Sequence, residues 1–175
     1  MRFAEITDDP ILVDLYEYWK RKRGTRRMPS RRDVDPLELN PAALPYIAIA
    51  EYIDEGRHVR LRLAGTELER AFGRSLTGVS PEDVMTGDYL EFINGLLQDV
   101  RKHQAPVYSE STFRWDRENF RTTRRLYMPL GDDEVRMVFI GQTIGSRRGK
   151  GNDPIPGDTR MGASIIEAVR EIVTE

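Results

Sequence analysis

In the middle of the run VRMVFIGQTI, residues 135–144, both faces of the expected strand are apolar. A strand with one wet face shows a polar residue at every second position, whereas here Val138, Phe139 and Ile140 follow one another. Such a strand belongs in the middle of a sheet, with packed elements on both faces. The rest of the chain must supply those two covers.

Periodicity elsewhere predicts the neighbours of this strand. A helix is expected over residues 8–23, capped by Asp9, and a longer one from Asp88 to His103. Asp54–Gly56 has the composition of a hairpin turn. The other predicted strands are Tyr46–Ile53, Val59–Leu63, Val107–Trp115 and Phe120–Leu130.

Three shorter signals complete the pattern. Thr66 and Glu69 have the spacing of a capping box, and Gly73 is placed to end the helix in a left-handed conformation. Asp35 indicates a further helix start, and apolar spacing over Met161–Ile172 predicts a final amphipathic helix. The order indicates one α+β domain with a five-stranded, mostly antiparallel sheet. Its expected division is 1–40, N-terminal helix and basic connector; 41–145, core; and 146–175, flexible tether and C-terminal amphipathic helix.

Composition excludes several classes of function. The chain of 175 residues contains no cysteine, so disulfides, thiolate metal sites, cysteine nucleophiles and cysteinyl chromophore adducts are impossible. No apolar run reaches the roughly 20 residues that a membrane-spanning helix needs. The start, MRFAEITDDP, lacks the apolar core of a secretory signal, so a cytoplasmic location is expected.

Residues 20–32 hold eight basic side chains and no acidic one. Within them Arg26, Arg27, Arg31 and Arg32 are the candidate anion-binding residues, because clustered cations neutralise phosphates. The ordinary interpretation is a solvated connector partly paired with acidic residues of the chain. An anionic partner protein or membrane surface, or a nucleic acid or nucleotide, are the alternatives, and neither base-stacking aromatics nor a groove-reading helix accompanies the run.

The combined sequence blocks at 15–39, 44–54, 60–78 and 127–141 resemble the PAS domain, and in particular a family of short bacterial proteins that are little more than one such domain. The resemblance implies a sheet covered on its concave face by helices from 65–86 and 88–103, with a cavity between them for a small molecule. It also implies a sensory role, homodimerisation through flanking helices and, with no output domain in this sequence, a signalling partner in trans. It implies no catalysis.

Two histidines bear on a cofactor. Members of the resembled family that hold haem use an axial histidine on the long helix, but His103 adjoins Arg101 and Lys102 and is better interpreted as a solvated helix end. His58, beside Arg57, is interpreted as a surface residue. The sequence therefore assigns no metal and leaves any cofactor unidentified.

A non-enzymatic function is expected, because no catalytic set can be assembled. The pattern G-x-S-x-x-G at 73–78 is one residue longer than a hydrolase elbow and follows a helix, so it is interpreted as a structural corner.

Each residue that could line a cavity also suits an ordinary core, and the pattern leaves open which face of its strand each polar candidate occupies. The apolar candidates are Phe72, Phe92, Ile93, Leu96, Trp115, Met128 and Phe139. The polar candidates are Gln142, Arg124 and Thr122.

Three hypotheses follow. The first is a stand-alone sensory or regulatory domain that binds a small ligand non-covalently, signals through protein–protein contacts, or does both. The second is a ligand-free dimerisation or scaffold module, and the third is a polyanion binder acting through residues 20–32.

Overall fold

Six strands of the described chain pair into one antiparallel sheet. The computed structural model describes residues 3–114, 120–148 and 164–174. In chain order the strands are β1 Ile47–Ile53, β2 His58–Ala64, β3 Val107–Arg114, β4 Phe120–Gly131, β5 Val135–Arg148 and β6 Ser164–Ile172, and their order across the sheet is β2-β1-β5-β4-β3-β6. The helices are α1 Pro10–Arg23, α2 Thr66–Phe72 and α3 Gly87–His103. The predicted α+β class with an antiparallel sheet is confirmed, with a sixth strand added.

β5 occupies the interior of the sheet between β1 and β4, as its two apolar faces predict. Its side chains alternate between an inner face, which α2 and α3 cover, and an outer face, which α1 covers. Val138 and Ile140 point inward, whereas Phe139 points outward, and all three are buried. The long apolar run therefore reflects cover on both sides.

α1 lies across the outer face. Asp9 caps it by accepting from the backbone N–H groups of Ile11 and Leu12, and the same carboxylate accepts from the hydroxyl of Thr143 on β5. Trp19 is 1% exposed, and its Nε1–H donates to the carbonyl oxygen of Pro129 on β4 over 2.8 Å. These bonds tie the start and the second half of α1 to the middle of the sheet.

α3 covers the inner face and runs for 17 residues. One stripe of the helix is buried against the sheet, as the sequence predicts. The stripe comprises Tyr89, Phe92, Ile93, Leu96, Leu97 and Val100. The helix ends at Gln104, which adopts the left-handed conformation with a φ of 51°.

The Asp54–Gly56 turn joins β1 and β2 as predicted, and Gly73 ends α2 with a φ of 67°. The capping box predicted for Thr66 and Glu69 is wrong. α2 already begins at Thr66, so the cap position falls on Gly65, whose carbonyl accepts from the amides of Leu68 and Glu69.

Glu69, predicted as part of the capping box, has another role in the structure. The Glu69 carboxylate accepts from the Ser75 hydroxyl over 2.9 Å and from the Leu76 amide over 3.0 Å. It therefore fastens the loop that follows α2. The helix start indicated at Asp35 is a single 3-10 turn, Pro36–Glu38, capped by the Asp35 side chain.

The predicted C-terminal helix is also wrong, because Ser164–Ile172 is the edge strand β6, paired with β3. A nine-residue apolar pattern fits either period, and the segment's β-branched residues Ile165, Ile166, Val169 and Ile172 favour a strand. A register shift opposite Glu110 and Ser111 disturbs the two-residue alternation, so the sequence resembles a helical stripe. Of the predicted tether, residues 149–163 lie outside the described residues, and β5 continues to Arg148.

Gly141→Ala tests how closely α1 is seated on β5. A Cβ at Gly141 would lie 2.7 Å from Leu15 Cδ1 and 2.9 Å from Leu12 Cδ2, and both leucines are buried. We expect a loss of about 1–3 kcal/mol in the free energy of unfolding, measured by urea denaturation.

Gly95→Ala is the matched control within α3. Its Cβ would lie 3.4 Å from Arg170 Nη1, an ordinary contact with the end of a flexible side chain. We expect it to stabilise the protein by up to about 1 kcal/mol, because alanine is the better helix former. Equal stability of the two variants would contradict the close seating of α1.

Candidate ligand-binding site

A cavity of about 60 Å³ lies on the inner face between the β1–β2–β5 part of the sheet and the helices α2 and α3. Its wall is mainly apolar, and two lining residues carry polar groups, the amide of Gln142 and the phenol of Tyr127. Apolar lining residues come from the sheet, from both helices and from the 73–86 loop. They include Ala48, Ala50, Leu61, Leu68, Phe72, Leu76, Val84, Met85, Ile93, Leu97 and Ile140.

The volume limits what the cavity accepts as it stands. Typical small-molecule sites measure about 300–1,000 Å³, and an engineered cavity that accepts benzene measures about 150 Å³. A ligand of more than a few atoms must therefore displace part of the wall.

The 73–86 loop is the part of the wall with the least regular structure. Besides the Glu69 bonds, it pairs with the edge of β2, where the Gly78 amide donates to the Leu61 carbonyl over 2.7 Å and the Leu61 amide donates to Val79 over 2.9 Å. The predicted structural corner at Gly73–Gly78 belongs to this loop, and its glycines have φ angles of 67° and 84°.

The structure brings together three of the predicted cavity residues, Phe72, Ile93 and Gln142, which all line the cavity. Phe92 and Leu96 lie on the covering stripe of α3 but are not part of this wall. The Phe92 ring instead stacks against the guanidinium of Arg125, 5.3 Å from the ring centroid. Trp115 lies outside the described residues, and Thr122 is half-buried in β4.

Three of the predicted cavity residues, Met128, Phe139 and Arg124, lie on the outer face and not at the cavity. Met128 and Phe139 are opposite each other in the β4–β5 pairing, and the Phe139 ring meets Tyr18 of α1 edge-on. Arg124 pairs with Asp8 over 2.9 Å and with Glu110 over 3.4 Å. Alternate residues of a strand face opposite sides of the sheet. A prediction that is wrong by one position therefore assigns a side chain to the wrong face.

Arg125, the neighbour of Arg124 on β4, is a buried polar residue that the sequence did not single out. Arg125 is 1% exposed on the inner face, with Nη1 donating to Ser111 Oγ over 2.6 Å and Nη2 donating to the Tyr89 hydroxyl over 3.2 Å. The signal that could have found it is the register of β4, in which Arg125 is paired with the inward-facing Gln142.

The basic segment is largely paired within the chain. Arg26 forms an ion pair with Asp33 over 2.9 Å, Lys22 pairs with Glu38, and Arg27 bonds to the side chain of Gln104. Arg31 donates to the Val34 carbonyl, and Arg32 is exposed. The pairing agrees with the interpretation as a self-paired connector, and binding of polyanions by this segment stays a prediction.

Both histidines lie at the surface. His58 faces Glu82, with 3.7 Å between Nδ1 and Oε1, and it borders a groove of about 320 Å³ that also contains Arg57, Arg101 and Lys102. His103 is exposed at the end of α3. Within the described ranges, no group of three or more His, Asp or Glu side chains is arranged to hold a metal ion.

Burial dominates the acid–base behaviour of the tyrosines around the site. It raises the pKa of Tyr127 to about 12, although the charge of Arg125 opposes the shift. Burial also raises the pKa values of Tyr52 and Tyr108. The Tyr127 phenol beside the cavity therefore keeps its proton at every physiological pH and can donate a hydrogen bond.

A protein-family model of the PAS domain matches residues 8–143, and the chain belongs to the PAS domain family. PAS domains are generally sensory and regulatory rather than catalytic. No curated protein and no solved structure matches the chain. Among the described residues, no helix has the length and apolar composition needed to cross a bilayer.

Tyr127→Phe tests the buried phenol through the pH dependence of stability. Between pH 10 and 12 the unfolded chain releases the Tyr127 proton while the folded chain keeps it, so stability falls as the pH rises. We expect the wild type to lose about 2 kcal/mol across that range through this group, and the variant to lose correspondingly less.

The measurement is urea denaturation at a series of alkaline pH values. Because burial also raises the pKa values of Tyr52 and Tyr108, the variant retains part of the slope. An identical slope in both proteins would show that Tyr127 is not buried as described.

Proposed function

We propose that this chain is a cytoplasmic sensory and regulatory PAS domain that binds a small ligand non-covalently in the inner cavity. The observation that carries the proposal is the mainly apolar cavity with two polar groups, Gln142 and Tyr127, in its wall. Small-molecule sites have this composition, in which apolar surface supplies affinity and a few polar groups fix orientation.

Movement of the 73–86 loop, which forms part of the cavity wall, offers a way for ligand binding to produce a signal. A ligand changes a protein only through a difference in affinity between two of its states. With the wall closed, the loop is fastened to Glu69 and to the edge of β2 at Leu61. A ligand larger than the cavity favours a state in which the wall has moved outward, and this changes the surface beside β2.

For the recipient of such a signal we propose a protein partner in trans, and for the working assembly a homodimer. The apolar stripe of α1 packs on its own sheet through Leu12, Leu15 and Trp19. Dimerisation would therefore use a surface other than that stripe.

A ligand-free interaction module is the second candidate, and the small volume of the cavity favours it. Native mass spectrometry of the full chain purified from its own host separates the two. A retained small molecule of defined mass supports the sensory function. Protein of unmodified mass, with no thermal shift from a library of small carboxylic acids, amides and aromatics, supports the closed module.

Ala50→Val tests whether the cavity is the binding site. Ala50 is buried and lines the cavity, and the added methyl groups fill part of the available volume. We expect the variant to lose the retained molecule while the stability of the ligand-free protein changes by about 1 kcal/mol or less. The control, Ala42→Val, makes the same change at an exposed position and should retain the molecule. Retention by both variants would place the site elsewhere.

A further inference from the structure

The inner face has a polar end as well as an apolar one. Around the cavity, the strands β1 and β2 present alanine, valine and leucine to the helices. At the other end, β3 and β4 carry a group of buried polar side chains. They are Ser109, Ser111, Arg121, Thr123 and Arg125.

Arg125 is the residue of this group whose surroundings call for a further partner. Its guanidinium donates to two neutral hydroxyls, Ser111 and Tyr89, and lies against the rings of Tyr89 and Phe92 at 5.9 Å and 5.3 Å. Its Nε has no hydrogen-bond partner, and in the described ranges no carboxylate lies within ion-pair distance of it. Within those ranges, Arg125 is therefore a buried cation without a counter-ion.

Neighbouring acids are already engaged. Asp99 on α3 and Glu167 on β6 both bind Arg170, each over 2.7 Å, and Glu167 also accepts from Ser109. Arg170 lies over the same Phe92 ring as Arg125, 5.5 Å from its centroid. The aromatic faces and hydroxyls offset part of the cost of burying the Arg125 charge, but a buried cation normally requires an anion.

The position of Arg125 connects it to the cavity. It is directly opposite Gln142 in the β4–β5 pairing, and Tyr127 is two residues further along the same face of β4. Both neighbours line the cavity. Paired side chains on adjacent strands have Cβ atoms about 5 Å apart. In the structure the guanidinium is turned toward Ser111 of β3 and Tyr89 of α3, so it meets a group bound beside Gln142 by exchanging those two hydrogen bonds for that group.

From this arrangement we infer that the ligand of the inner cavity is a carboxylic acid with a short apolar body. Its carboxylate accepts from Arg125, Gln142 and Tyr127 donate beside it, and its apolar part packs against Ala48, Ala50 and Leu68. The inference rests on the proposed sensory function and adds the chemical class of the ligand.

Matched acids and amides test the inference without requiring any variant. The probes are isobutyrate with isobutyramide and benzoate with benzamide, titrated calorimetrically into the full chain at neutral pH. Because hydrogen bonds between charged groups are stronger than those between neutral ones, we expect each acid to bind at least about tenfold more tightly than its amide.

Arg125→Met assigns any preference for the acid to this residue, because it keeps an unbranched side chain and removes the charge and the hydrogen-bond donors. We expect it to abolish the preference for the acid, and to leave the ligand-free protein as stable as the wild type or more so, because it removes an unpaired buried charge. Arg124→Met is the matched control: Arg124 lies on the outer face with Asp8 and Glu110, so that variant should keep the preference.

Each result decides the matter. A preference for acids that disappears only in Arg125→Met supports the inference. Equal binding of acid and amide overturns it while leaving a ligand-binding cavity in place. Binding of neither probe also overturns it, and the sensory function is then judged separately by mass spectrometry of the protein from its host. If Arg125→Met does not fold, the acid–amide comparison on the wild type still decides.

Discussion

The rest of the structure depends on the burial of β5 on both faces. A strand with Val138, Phe139 and Ile140 in succession is stable only between two covers, so α1 and α3 cannot share one side of the sheet. The outer cover is packed closely, with no room for a Cβ at Gly141. The inner cover is shared between two helices and a loop, and the cavity lies where these three meet the sheet. The site is thus a consequence of covering one strand with unequal elements.

The sequence predicted the elements well because their signals are local. The Asp9 cap, the apolar stripe of α3 and the hairpin at Asp54–Gly56 each depend on residues close together in the chain. The two faces of a strand could not be distinguished in the same way. Arg124 and Arg125 are equally plausible from sequence, and only the β4–β5 register shows that Arg125 is paired with Gln142 on the inner face. Phe139 and Met128 are candidates for the cavity from sequence, and the same register places them on the outer face.

Two other errors show tertiary structure overriding a local pattern. The T-x-x-E motif at Thr66 has the spacing of a capping box, but the chain turns at Gly65, whose amide donates to the Ile47 carbonyl of β1 over 2.8 Å. A Cβ at Gly65 would lie 2.4 Å from the carbonyl oxygens of Leu44 and Pro45, so this glycine determines where the helix begins. At the C-terminus, the free edge of β3 offers a full ladder of hydrogen bonds, and a segment of ambiguous period pairs with it as β6.

The attachment of α1 has a consequence for how information leaves the domain. Asp9 joins the start of the helix to Thr143 on β5, and Trp19 joins its second half to Pro129 on β4. Detaching the helix would break both links and expose the apolar stripe to water, so α1 belongs to the same cooperative unit as the sheet. Swinging α1 away from the sheet would therefore cost much free energy as a way to signal that a ligand occupies the cavity. Displacement of the 73–86 loop breaks its hydrogen bonds to Glu69 and Leu61 and uncovers two buried side chains, Leu76 and Pro81, against the five that α1 buries.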